Sequence, residues 1–355
     1  MEKEAVAALA HMLGWKIHLG HLTGGGTLAN LEALWLAREL GGGRRRVLAS
    51  REAHYTHARM SAVLGMDFLP IEVDRNGRMD PAALARKLDE DVACVVATLG
   101  TTAQGAVDPL AEILPLARQV GAWVHGDAAY GGYFKLVATQ YPTLAQDFAA
   151  IVDCDSVAID PHKHGLQPYG CGAVLFRDPT VGRVYRHDSP YTYFSSEDLH
   201  LGEISLECSR PGAAAVALWA TQRLLPLTPE GEFAQGLRAG LAAAAGLYHW
   251  VRESEDFVAL APPTLDIVVF GASMATASAA SARARAILAA AAARDLHLAL
   301  LRLPRDLAAA WWPGLAWDAE EVTVLRCCLL KPAHLAWLDA ITTRLGAAGE
   351  ATRTD

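Results

Sequence analysis

AWVHGDAAYGG, residues 122–132, is an apolar run that stops at an aspartate and passes into small residues. Runs that stay apolar along their length belong to strands buried on both faces, as in the parallel sheets of α/β proteins. Ligands of such sheets sit beyond the carboxyl ends of the strands, which puts Asp127 where a catalytic acid is favoured. A carboxylate there can hold a cationic partner, such as a protonated ring nitrogen, by a charge-assisted hydrogen bond. The plainer alternative is an N-cap for a following turn. Ala128, Ala129, Gly131 and Gly132 weigh against it, because such small side chains let something flat lie close to the backbone.

A second run, SVAIDPHKHG (156–165), ends in the same way and places Lys163 three residues past a strand. In a parallel sheet that is the same edge as Asp127. An ammonium group away from bulk water must be paired or lose its proton, and a partly buried lysine with a lowered pKa is a nucleophile towards carbonyl groups. The alternative is an exposed loop lysine. Upstream, GHLTGGGTLAN (20–30) leads from Gly24, Gly25, Gly26 and Thr27 into an amphipathic helix. Glycines let the backbone approach an anion, and free N–H groups at a helix start favour a phosphate; otherwise the stretch is a flexible loop with Thr27 as N-cap. A phosphate cradle, a partner for a pyridinium nitrogen and a Schiff-base amine, in this order, are the three fixed points that pyridoxal 5'-phosphate needs.

Two further strand ends carry candidates. His54 follows RVLAS (46–50), where an imidazole can lie flat on a pyridine face and reach a substrate carboxylate, or simply decorate a helix start. Thr101 and Thr102 follow VACVVAT (92–98); their hydroxyls can donate to a ligand or close a local turn.

Helical patterns near 4–13, 27–40, 55–64, 81–89, 109–120 and 212–225 alternate with strands at 46–50, 67–73, 92–98, 122–127, 156–160 and 172–177. That alternation predicts a large, mostly parallel sheet domain over residues 1–228. After Pro226 and Pro229 the texture changes. Ala-rich helices at 231–253 and 276–294, strands at 265–270, 297–303 and 321–330, and a last helix from Pro332 predict a smaller α+β domain over 229–355.

Composition bounds the function. The 355 residues, 52% apolar and 20% charged, suit a soluble α/β enzyme, and no uncharged stretch reaches the roughly 18 to 20 residues of a membrane span. No basic n-region precedes MEKEAVAALA, so a cytoplasmic location is expected. A net charge of -8 argues against a general nucleic-acid binder, and Arg44-Arg45-Arg46 is too short to suggest otherwise. Six scattered cysteines without metal-ligand spacing read as reduced thiols, with no metal site.

The series GHLTGGGTLANLEALWLAR, EAHYTHARMSAVLG, VVATLGTTAQGAVDP, HGDAAYGGY, DSVAIDPHKHG and SRPGAAAVALW resembles the pyridoxal-phosphate-dependent amino-acid decarboxylases of the aromatic-L-amino-acid, tyrosine, histidine and glutamate group. VTVLRCCLLKP (322–332) extends the resemblance to nearly the whole chain. It implies the aspartate aminotransferase-like fold type I and a homodimer. It also implies that Lys163 links to the cofactor aldehyde, Asp127 pairs with the ring nitrogen, and Ala129 and His54 cover the two ring faces. Gly25, Gly26 and Thr27, helped by Asp160 and His162, would bind the phosphate, and Thr102 would lie near Asp127 and the substrate carboxylate. In the family a loop tyrosine returns a proton to Cα. YRHDSPYTYFSSEDLHLGE (185–203) stands at that place with Tyr191 and Tyr193, unless its aromatics only pack.

The implied reaction is decarboxylation of an L-amino acid to the amine. Tyrosine, DOPA or tryptophan are favoured, because the loop carries aromatics and no arginine placed for a side-chain carboxylate. Another fold-type-I lyase, a desulfurase, an oxidative decarboxylase or a non-catalytic subunit are the alternatives. The chain departs from the family in three places. GGGTLAN replaces a loop with serine and glutamate, and His164 stands where a large apolar residue is usual. Only 23 residues precede Gly24, where relatives carry a long segment that wraps the partner and contributes to the substrate pocket.

Overall fold

The computed structural model describes residues 1–186 and 205–353. It divides into two compact units, one of residues 1–73, 78–102 and 107–234, the other of 74–77, 103–106 and the chain from 235 onward.

In the first unit β1 (Leu19–Thr23), β2 (Arg46–Ser50), β3 (Asp67–Ile71), β4 (Val92–Thr98), β5 (Trp123–Asp127), β6 (Ser156–Ile159) and β7 (Gly172–Phe176) form one sheet. Its order is β1-β7-β6-β5-β4-β2-β3. The pairs β2/β3, β2/β4, β4/β5 and β5/β6 are parallel, while β7 runs antiparallel to β6 and β1 antiparallel to β7. The expected mostly parallel α/β sheet is therefore present. Every residue of β4, β6 and β7 is buried, which is why these segments read as unbroken apolar runs.

Around the sheet lie α1 (Glu2–Leu13), α2 (Gly26–Leu40), α3 (Thr56–Val63), α4 (Pro81–Ala85), α5 (Leu110–Gln119) and α6 (Pro142–Ala150). The helix α2 decides where the site forms. Its Ala29, Ala33 and Leu36 pack with Ala158, Val174 and Phe176, and its Leu34 and Ala37 with Val47, Ala49 and Val96. Full burial of Leu34 and Leu36 contributes about 1.5–3 kcal/mol each, and the small side chains of Ala29, Ala33 and Ala37 let the helix lie close to the strands. The first turn of α2 is thereby held at the carboxyl ends of the central strands.

Several elements were not legible as such, the helix Arg305–Ala309 among them. The strand β1 is short and contains Gly20 and His21; a side chain at Gly20 would meet the Val174 carbonyl oxygen at 2.7 Å, so glycine is there for close approach to β7. The helix α6 and the three-residue β8 (Phe257–Ala259) were also unassigned. Ends differ too: the helix expected over 81–89 stops at Ala85, and the strand expected over 67–73 stops at Ile71. Arg44, Arg45 and Arg46 serve the sheet itself. Arg44 donates to the carbonyls of Val120 and Gly121, Arg45 to that of Gly65, and Arg46 pairs with Asp89 and Asp91.

The second unit is built on an antiparallel sheet of β8, β9 (Ile267–Ala272), β10 (Ala299–Pro304) and β11 (Glu321–Cys328), in the order β10-β11-β9-β8. Its core joins Val268, Phe270 and Leu325 to Ala284 and Ile287 of the helix Ala277–Ala292 and Leu345 of the helix Leu338–Glu350. Asp256 pairs with Arg283 at 2.6 Å and Arg353 at 2.8 Å, tying the end of the described chain to this core. No helix among the described residues is long and apolar enough to cross a membrane.

Candidate active site

A cavity of about 390 Å³ opens beyond the carboxyl ends of β4, β5 and β6. The structure brings to it Gly25, Gly26, Thr27, His54, Thr102, Asp127, Ala129, Asp160, His162 and Lys163, so the expected residues that lie in the described chain all line one space. Tyr191 and Tyr193 lie outside the described residues.

One wall is the turn before α2. Gly25 has φ 149° and ψ 174°, a conformation reserved for glycine, and it, not Thr27, is the N-cap of the helix. The first N–H groups of α2 have no helical acceptor and so suit an anion. Thr27 turns its hydroxyl to that of Thr56, 3.2 Å away, coupling the first turns of α2 and α3. A side chain at Gly26 would lie 2.7 Å from Asp160 Oδ2, so this turn can only close with glycine there.

Asp127 ends β5 and accepts from three donors while still lining the cavity. His57 Nε2 lies 2.8 Å and Asn30 Nδ2 3.3 Å from its Oδ2, and the Ala129 N–H lies 3.2 Å from its Oδ1. The N-cap alternative was thus partly right, since Oδ1 does cap the next turn. Burial works to raise this carboxyl, but the hydrogen bond from His57 and the nearby Lys163 cation outweigh it and hold Asp127 well below the usual carboxylate range.

Behind Asp127 runs a buried relay. Trp123 Nε1 donates to Ser156 Oγ at 2.8 Å; Ser156 Oγ is 2.8 Å from His125 Nδ1, and His125 Nε2 is 2.8 Å from Asn30 Oδ1. Indole only donates and an ionised carboxylate only accepts, which orients every bond between them towards Asp127. His125 must then carry its proton on Nε2. Sequence reasoning missed His57, Asn30, His125 and Ser156. The usable signal was alternation: Trp123, His125 and Asp127 share one face of β5 at a period of two.

Burial lowers the His125 pKa from its ordinary 6.5 to about 3. The unfolded chain therefore binds a proton that the folded chain refuses between those values, and stability falls as pH drops through that window. From this group the chain is expected to be about 2 kcal/mol less stable at pH 5 than at pH 7. Urea unfolding of the wild type and His125→Gln at both pH values checks it; an equal pH dependence in the two would contradict the assignment.

Lys163 finds its counter-charge locally, its Nζ 3.2 Å from Asp160 Oδ2, with one third of the side chain exposed. His162 Nε2 is 3.5 Å from the same oxygen, and its Cε1 lies 3.3 Å from where a side chain on Gly25 would begin. Burial pushes the Asp160 carboxyl up, against the pull of Lys163 and His162. His54 is half-buried; its Nδ1 accepts from the Thr56 N–H at 3.3 Å, and burial lowers its pKa against an opposing pull from Asp127. Of the two candidate threonines only Thr102 lines the cavity. Thr98, not anticipated, lines it too, next to Asp127 in register, with its buried Oγ1 lacking a hydrogen-bond partner among the described residues. His164 is a packing residue, edge-on to Tyr130 at 4.6 Å and Phe134 at 4.9 Å.

The chain is similar to known proteins in sequence and in fold. Residues 42–273 match the family model described as the pyridoxal-dependent decarboxylase conserved domain. A probable L-tyrosine/L-aspartate decarboxylase of Methanothermobacter thermautotrophicus is 27% identical over 76% of this chain and 72% of its own. A probable L-aspartate decarboxylase of Halobacterium salinarum is 34% identical over 63% of this chain, which spans 60% of that relative. In fold, mouse CSAD superposes with a TM-score of 0.79 at 22% identity, covering 97% of this chain and 75% of that one. Oryza sativa TDC, solved with PLP and tryptamine, gives 0.79 at 22% identity, covering 96% and 75%. The sheet, the cavity at its carboxyl edge and the match over 42–273 agree: the chain belongs to the pyridoxal-dependent decarboxylases, carboxy-lyases that work with pyridoxal 5'-phosphate.

Proposed function

We propose that this chain converts an L-amino acid to its amine and CO2 with pyridoxal 5'-phosphate held in the cavity. What carries the reading is the convergence on one 390 Å³ space of a glycine turn at a helix start, a buried carboxylate and a lysine amine. Each fits one part of the cofactor. The first turn of α2, with Gly25, Gly26 and Thr27, suits the phosphate; Asp127 Oδ1 suits a protonated ring nitrogen; Lys163 Nζ offers an amine to the aldehyde. Ala129 is small enough for one ring face, and His54 serves the other. When bound, the cofactor supplies an electron sink for the pair left as a bond to Cα breaks.

The chain's own groups do the rest. Asp127, kept ionised, holds the ring-nitrogen proton in place. Asp160 anchors Lys163 and His162 and lies under Gly26, so its part is to brace the phosphate side rather than to touch an anion. His54 and Thr102 line the cavity where they would hold the substrate carboxylate, and the buried Ala129 would help to keep water from it. Tyr191 or Tyr193 is proposed as the acid that protonates Cα.

An aromatic side chain is the preferred substrate feature. Among the described residues lining the cavity none is an arginine, which leaves a side-chain carboxylate without a bidentate partner. The relatives' names carry aspartate, alone or beside tyrosine, so both head the test. Purified chain with added cofactor is to be assayed for amine release from the twenty amino acids, with DOPA added. Tyramine, tryptamine or dopamine is expected as the main product; β-alanine would shift the substrate to aspartate, and an aldehyde with peroxide, or sulfide, would overturn decarboxylation to the amine. A homodimer in the cytoplasm belongs to the same reading, and light scattering tests the dimer.

A further inference from the structure

The donors around Asp127 divide the work of its two oxygens. Oδ2 accepts from His57 Nε2 at 2.8 Å and Asn30 Nδ2 at 3.3 Å, while Oδ1 accepts the Ala129 N–H at 3.2 Å. A carboxylate offers about four lone-pair sites, so the one left for a ligand belongs to Oδ1. His57 is fully buried in the first turn of α3, its N–H bonded to the His54 carbonyl at 3.0 Å. Its Nδ1 has no hydrogen-bond partner among the described residues, so the ring proton belongs at Nε2, aimed at Oδ2.

We propose that His57 is a positioning residue: its Nε2–H fixes the rotation of the Asp127 carboxylate so that Oδ1 presents its open lone pair to the ring nitrogen of pyridoxal 5'-phosphate. The inference rests on the cofactor placement proposed above. Rotation about the last bond of an aspartate is otherwise broad and weakly defined, and the longer Asn30 contact would be left to hold it. His57 itself does not line the cavity, so it acts only through Asp127.

The test compares the cofactor with its 1-deaza analogue, in which C–H replaces the ring nitrogen. Dissociation constants of both are measured on the full chain as wild type, His57→Phe and His57→Gln. His57→Phe is expected to weaken the cofactor about tenfold, the worth of one hydrogen bond to a charged group, and the analogue less than about twofold. His57→Gln, which keeps an N–H donor, should recover most of the loss. Equal weakening of both compounds, or of neither, would overturn the role. Histidine nitrogen NMR of the cofactor-free wild type is the independent arm: the proton is expected on Nε2, and an Nδ1–H tautomer would overturn the geometry even if no variant folds. A wild type that binds neither compound removes the cofactor reading, and the inference with it; a wild type that binds the cofactor tightly while His57→Phe is silent removes the inference only.

Discussion

Lys163→Ala is expected to stop amine release, by at least about a thousandfold, because it removes the only lysine lining the cavity among the described residues. The same change should abolish the visible absorbance of cofactor bound through an imine, read by adding pyridoxal 5'-phosphate to the purified chain. Lys163→Arg separates charge from nucleophilicity: it keeps a cation near Asp160 and should be as inactive as alanine. Removing the amine also strips Asp160 of the partner 3.2 Å away, and that carboxyl is already pushed up by burial. Alanine is therefore expected to be about 1–3 kcal/mol less stable than arginine in urea unfolding. Activity surviving in either variant at even a tenth of the wild-type rate would remove Lys163 from the chemistry.

Asp127→Asn is the second large effect, expected to lower amine release by about 10²- to 10⁴-fold. The neutral amide cannot hold a protonated ring nitrogen. It also brings an N–H donor into a ring of donors, since His57, Asn30 and the Ala129 N–H all point at these two oxygens. The pH dependence has a definite sign. The carboxyl of Asp127 is held below its ordinary range, so its contribution to stability is complete above the ordinary value and is lost as pH falls below it towards the folded value. In Asp127→Asn that acid limb should flatten, measured as unfolding free energy between pH 5 and pH 3. A variant with the wild-type acid limb would show that Asp127 is not ionised in the fold.

How much was legible follows from burial. The segments VACVVAT, SVAI and GAVLF announced themselves because strands covered on both faces admit few polar residues. Lys163, Asp127 and Gly25 to Thr27 were legible because their chemistry is costly or conformationally special at a strand end or a helix start. The strand β1 was hidden by Gly20 and His21, whose presence answers to β7 and not to any local pattern. Tertiary structure also gave His164 its place, edge-on to two aromatic rings that lie 30 and 34 residues before it.

The sequence by itself determined the class of sheet and the family, and it pointed to Gly25 to Thr27, Asp127 and Lys163, which line one cavity. These depend on local order: an apolar run, the residue that ends it, and the glycines before a helix. Only the tertiary structure decided that His57, not His54, supports Asp127, that Asn30 and His125 connect it to Ser156 and Trp123, and that Asp160 is the counter-charge of Lys163. Hydrogen bonds between α2, α3, β5 and β6 depend on which strands are neighbours and on the face each side chain takes. Spacing along the chain does not encode either.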